Sequence, residues 1–113
     1  MRVELPGGVA LGPGKAALLE AIGEAGSIAA AGRRLRMSYK RAWGLVEALN
    51  ADFPTPLVES SRGGAAQGGA HLTERGEAVL ARYRAMEAKA VAAIAADLAA
   101  LADLARRDVS HGT

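Results

Sequence analysis

With 113 residues the chain has room for one domain and little more, and its apolar half is weighted toward alanine, with a single Trp and a single Phe. Such a chain buries a modest share of its surface around a thin core, so burial between subunits is an expected source of further stability. No cysteine is present, which excludes disulfides and thiolate metal sites, and no apolar leader follows Met1. The most apolar run, residues 88–102, is too short to span a bilayer and is broken by Lys89 and Asp97. The expected compartment is the bacterial cytoplasm, with no membrane partner.

Residues 3–5 read as a short strand ended by Pro6, Gly7 and Gly8. Gly12, Pro13 and Gly14 open a first helix, since proline is tolerated in a first turn. Leu18, Leu19, Ile22 and Ala25 give that helix an apolar stripe at helical spacing, and Gly26 stops it. Ser27 is placed to cap a short second helix on which Ile28, Ala31 and Leu35 share a face. After a tight connection through Arg36 and Met37, Ser38 is placed to cap a third helix. Ala42, Val46, Leu49 and Phe53 line one side of it, while Ser38, Lys40, Arg41 and Gly44 lie largely off that side; Pro54 and Pro56 close the element.

Residues 57–60 form the next predicted strand, 62–69 a glycine-rich loop without core-forming side chains, and 70–72 the returning strand. Thr73 caps a long helix that runs to about Arg107, roughly fifty ångströms at the usual rise per residue. The expected fold is mainly α with a small β-hairpin: a winged helix-turn-helix over residues 1–89, with a long C-terminal dimerisation helix over 74–107.

The formal net charge is only +2, so its distribution carries the information. No acid stands between Glu24 and Glu47, while Arg33, Arg34, Arg36, Lys40 and Arg41 crowd that stretch. A local basic cluster is the electrostatic footprint of nucleic-acid binding, although a solvated positive face is as common for such a cluster taken alone. Three helices, the second and third joined by a tight turn, then a hairpin and a further helix, give the cluster its context. In that arrangement the third helix enters a major groove and its N-terminal side chains reach base edges.

The expected contacts with double-stranded DNA follow from this placement. Lys40 and Arg41 face phosphates or guanine edges. Ser38 serves as cap and phosphate donor together, at a helix end that favours anions. Arg33, Arg34 and Arg36 suit the flanking phosphates, with Ser27 beside them. Tyr39 admits two roles, packing against the turn or pointing its hydroxyl at DNA. Trp43, at the edge of the buried stripe, is either a brace between helices or a contact. Arg62 and Gln67 belong to the wing.

The long helix carries Val79, Tyr83, Met86, Ala90, Ile94, Leu98, Leu101 and Ala105 at steps of three and four, the spacing of a coiled-coil-like seam. Packing on the first helix accounts for its first turns only. The remainder is expected to meet a second copy, with Leu18 and Ile22 of the first helix joining the dimer contact.

From about Leu11 to Lys89 the residues resemble the N-terminal DNA-binding domain of the ModE family of molybdate-responsive regulators, distant relatives of LysR-type winged helices. The resemblance rests on Gly26, Ser27 and Ile28; on Ser38, Tyr39 and Lys40 with Ala42 and Trp43; and on Glu47, Leu49 and Asn50. It extends through Leu57, Val58 and Glu59, the glycine pairs of the wing, and Leu72 and Thr73 with Gly76. It implies a homodimeric, sequence-specific transcriptional regulator. Two departures stand out. Gln67 replaces the lysine that the family's wing often carries, which removes an expected charged contact. Family members also place molybdate-binding modules after this domain, and this sequence stops at Thr113. The expectation is a regulator without its own molybdate-binding domain, so that a separate effector-sensing protein is a further candidate partner.

Other classes find less support. His71 and His111 have no carboxylate or cysteine at ligand spacing, so no metal or cofactor is expected. The wing glycines lack the Gly-Lys-Ser/Thr of a phosphate-binding loop, and no serine elbow or cysteine nucleophile is present. An enzyme is therefore not expected. The alternative is a winged-helix adaptor whose basic face binds an acidic protein.

Overall fold

The computed structural model describes residues 1–61 and 69–106. Two compact units divide it, Met1–Tyr83 and the residues from Arg84 onward. The order of elements is β1 (Val3–Glu4), β2 (Ala10–Leu11), α1 (Pro13–Ala25), α2 (Ile28–Arg34), α3 (Tyr39–Asp52), β3 (Val58–Ser61), β4 (Gly69–Leu72) and α4 (Glu74–Ala105).

The helix boundaries follow from local chemistry. α1 begins with Pro13, whose missing N–H is no loss in a first turn. It ends at Gly26, which adopts φ 79° and donates its amide to the Ile22 carbonyl at 2.9 Å. That left-handed cap suits glycine, because a Cβ is strained there. The Gly26 carbonyl then accepts from the Ala70 amide at 2.9 Å, tying the α1–α2 turn to the hairpin. Ser27 caps α2 by accepting from the Ala30 amide at 3.0 Å, and Ser38 caps α3 by accepting from the Arg41 amide at 3.0 Å. Each such cap stabilises its helix by about 1 kcal/mol.

The turn between α2 and α3 has a feature that composition does not announce. Arg36 sits at φ 59°, the one non-glycine residue with positive φ among the described residues. Met37 donates its amide back to the Gly32 carbonyl at 2.9 Å, which closes the turn.

β1 pairs antiparallel with β2, with Val3 opposite Leu11 and Glu4 opposite Ala10. The first strand is the expected one; its partner was not anticipated. β3 pairs antiparallel with β4, with Val58 opposite Leu72 and Ser61 opposite Gly69. The expected wing tip, including Arg62, Gln67 and most of its glycines, lies outside the described residues, as do Arg107 and His111.

Side chains of every element in the first unit meet in one core. Leu18, Leu19, Ile22, Val46, Leu49, Leu57 and Tyr83 are its largest fully buried members. Asn50 fastens the end of α3 to β3. Its Oδ1 accepts from the amides of Leu57 at 2.8 Å and Val58 at 3.1 Å, and its Nδ2 donates to the Val58 carbonyl at 3.1 Å. Thr73 performs the matching task at the start of α4. Its hydroxyl donates to the Pro56 carbonyl at 2.7 Å and accepts from the Gly76 amide at 3.0 Å. Gly76 packs so closely on β3 that a Cβ there would stand 2.1 Å from the Leu57 carbonyl oxygen.

Candidate nucleic-acid interface

Three buried residues fix the rotation of α3. Ala42, Val46 and Leu49 face the core, so Tyr39, Lys40 and Arg41 of its first turn are left exposed. Lys40 and Arg41 form no ion pair with any described residue, and both are free to meet an external anion. Ser38 is exposed as well, its oxygen accepting the Arg41 amide while its proton remains available. Cap and donor are thus compatible there. The same holds at Ser27, which is half-buried.

Arg33 and Arg36 are exposed and make no ion pair among the described residues. Arg34 differs: its guanidinium lies 2.7 Å from the Glu24 carboxylate at the end of α1. Any phosphate contact by Arg34 therefore competes with an internal acid. Ten residues separate the two, and periodicity within one helix could not reveal the pairing.

Tyr39 and Trp43 act as one unit. The indole Nε1–H of Trp43 donates to the Tyr39 hydroxyl, and the rings meet edge to face with centroids 6.4 Å apart at 88°. Tyr39 is 55% exposed, whereas Trp43 is partly buried against the core. Trp43 thus packs on the core with one edge and meets the exposed Tyr39 with its N–H. On the hairpin stem, His71 and Glu59 are cross-strand neighbours 3.5 Å apart and both exposed.

The expected dimer residues divide into two groups. Leu18 and Ile22 are 0% exposed and belong to the core of a single chain, which leaves them no surface to offer a second copy. This corrects their expected role. Tyr83 is likewise buried, its hydroxyl donating to the Met1 carbonyl, and Val79 packs against the same core. An apolar helix face marks burial, and here the chain itself covers it. Within the second unit, Met86 and Ala90 are half-buried, while Ile94, Leu98 and Leu101 stand exposed. Val91 and Leu104, not anticipated, are exposed too, the latter at 82%. Val91, Ile94, Leu98 and Leu101 follow one another at steps of three, four and three, a continuous seam on that unit.

The buried side chains among the described residues are apolar apart from Tyr83, and no group of three or more described His, Cys, Asp or Glu residues could hold a metal. An open cleft of ≈ 670 Å³ is lined by Phe53, Pro56 and Val79 together with Glu59, Glu74 and Arg75. Among the described residues no helix is long and apolar enough to cross a membrane.

Three helices, the second and third meeting through a tight turn, followed by a two-stranded hairpin and a further helix, define a winged helix-turn-helix protein. The chain matches the family described as bacterial regulatory helix-turn-helix protein, lysR family, over residues 15–77, and it belongs to that family. Among curated proteins it is 48% identical over 81 residues to the molybdenum-pterin-binding protein MopB of Rhodobacter capsulatus, covering 72% of this chain and 30% of that protein. It is 40% identical over 87 residues to the molybdenum transport protein ModE of Azotobacter vinelandii, covering 77% of this chain and 32% of the relative. The chain thus spans about a third of the length of the curated relatives it matches. The anticipated resemblance to ModE proteins holds for that portion. Among solved structures it resembles the DNA-binding domain of CbnR in complex with DNA. That match has a TM-score of 0.61 and 31% identity, covering 77% of this chain and 94% of that one.

Proposed function

We propose that the chain binds double-stranded DNA through the exposed start of α3 and acts as a sequence-specific transcriptional regulator rather than as an enzyme. The observation that carries this reading is the placement of Lys40 and Arg41. Both stand exposed and without an acidic partner among the described residues, on the first turn of a helix anchored from behind by Ala42, Val46 and Leu49. A major groove admits such a helix, and side chains at its N-terminal end reach base edges. Arg33 and Arg36 suit the phosphates on either side, contacts that position without reading sequence. Membership of the lysR family and likeness to a DNA-bound domain of CbnR support the same reading. The relation to ModE supports target genes connected with molybdenum.

The reading includes a homodimer, with DNA contacts from residues 1–89 and self-association through the C-terminal part of α4. Its support is the exposed seam of Val91, Ile94, Leu98 and Leu101. Heptad-like spacing on a solvent-facing helix is the pattern that a second helix of the same kind covers. A two-fold dimer offers two copies of α3 to one duplex.

The test is fluorescence anisotropy of a labelled mixed-sequence duplex across a range of salt. Removing one phosphate-binding cation flattens the plot of log affinity against log salt by about 0.9. Joint replacement of Lys40 and Arg41 by Ala is expected to lower affinity and flatten that plot by up to about two units. Binding that ignores salt, or is untouched by the double substitution, contradicts the assignment.

A further inference from the structure

The indole N–H of Trp43 can only donate, so in its contact with Tyr39 the phenol oxygen must accept. The Tyr39 proton is then directed elsewhere, and among the described residues it has no acceptor. Accepting one hydrogen bond polarises a hydroxyl and strengthens the bond that it donates. The two rings also stand one helical turn apart in edge-to-face contact, which restrains a side chain that is otherwise half in solvent. A restrained side chain loses less freedom when it binds.

From this geometry we infer that Tyr39 is a directed hydrogen-bond donor to an acceptor oxygen or nitrogen of the duplex, and that Trp43 is the residue that positions it. This rests on the DNA-binding reading above and adds to it a chemical selectivity. Lys40 and Arg41 supply charge, whereas the Tyr39–Trp43 pair supplies a neutral donor of fixed direction at the start of the same helix. The acceptor is either a phosphate oxygen or a major-groove acceptor such as guanine N7, guanine O6 or thymine O4.

The experiment is a double-mutant cycle on the 113-residue chain, with Tyr39→Phe, Trp43→Phe and their combination. It uses two probes: a duplex enriched by the wild-type chain from a random-sequence library, and an unselected mixed-sequence duplex. Tyr39→Phe removes one oxygen from an exposed residue and is expected to weaken binding of the selected duplex about tenfold, the worth of one well-directed hydrogen bond. Trp43→Phe is expected to weaken it about three- to tenfold in the wild-type background and not at all in the Tyr39→Phe background. Should Trp43→Phe unfold, benzothienylalanine at position 43 replaces only the N–H by sulfur and completes the cycle. Equal weakening on both probes assigns a phosphate oxygen as the acceptor; weakening confined to the selected duplex assigns a base. Either outcome supports the inference. It is overturned if Tyr39→Phe binds as the wild type does, or if the Trp43 effect is the same in both backgrounds, which marks Trp43 as a structural brace alone. Failure of the wild-type chain to enrich any duplex overturns the DNA-binding reading itself, and this one with it.

Discussion

Replacing Gly76 by alanine adds one methyl group where β3 leaves no space for it. The new carbon would lie 2.1 Å from the Leu57 carbonyl oxygen and 3.0 Å from its carbonyl carbon. A carbon and an acceptor oxygen rest at about 3.3 Å, so α4 and β3 must separate by about 1 Å. Neither side yields freely. The Leu57 side chain is fully buried, its amide is held by Asn50 at 2.8 Å, and its carbonyl accepts from the Thr73 amide at 2.9 Å. Breaking one or two of these hydrogen bonds costs about 1 kcal/mol each, and forcing the packed core apart costs about 1–3 kcal/mol. The better helix propensity of alanine offsets about 1 kcal/mol. The net destabilisation is then about 1–4 kcal/mol, at its upper end a large part of the stability of a small domain. Urea unfolding followed by far-ultraviolet circular dichroism measures it. Gly44→Ala is the control, because a Cβ on that exposed residue of α3 meets nothing within 4 Å. It is expected to raise stability by up to about 1 kcal/mol. Equal stability of Gly76→Ala and the wild type refutes the close-packing argument, as does an equal destabilisation of both variants.

Leu98→Glu combined with Leu101→Glu places two charges in the exposed seam and is expected to convert a dimer to monomers in sedimentation at tens of micromolar. A wild-type monomer at that concentration, or a dimer that survives the change, contradicts the self-association reading. Arg36 holds a left-handed conformation that costs a side-chain-bearing residue about 1–2 kcal/mol. Arg36→Gly is therefore expected to leave the urea midpoint unchanged or raised while weakening duplex binding; a lowered midpoint shows that the arginine side chain contributes packing instead. Calorimetry with molybdate is expected to find no saturable micromolar site in the 113-residue chain, whose described buried side chains are apolar apart from Tyr83. A saturable site contradicts this.

Much of the architecture was legible because helix ends are decided by short-range chemistry. Ser27, Ser38 and Gly26 have only one or two neighbours to satisfy, and each does what its type and position predict. The basic, acid-free stretch was legible for the same reason. Pairings across the fold were not. β2 is two residues long and carries no alternation, so nothing in Ala10 and Leu11 announces a partner for Val3 and Glu4. Helical periodicity shows which face of α1 is apolar but not what covers it, which is why Leu18 and Ile22 were misplaced. Glu24 and Arg34 meet only because α1 and α2 pack together in the fold. The left-handed turn at Arg36 is set by the closing bond from Met37 to Gly32, and no residue preference signals it.

In the proposed function, two copies of α3 read DNA sequence together. Selection from a random-sequence duplex library with the purified 113-residue chain, followed by sequencing of the bound fraction, tests it most directly. The expected result is an inverted repeat whose half-sites are separated by about 10–10.5 base pairs, one helical turn, or by a multiple of it. An enriched single half-site without symmetry contradicts the dimer. Recovery of the library unchanged, with binding that depends only on salt, contradicts sequence-specific recognition by the exposed start of α3.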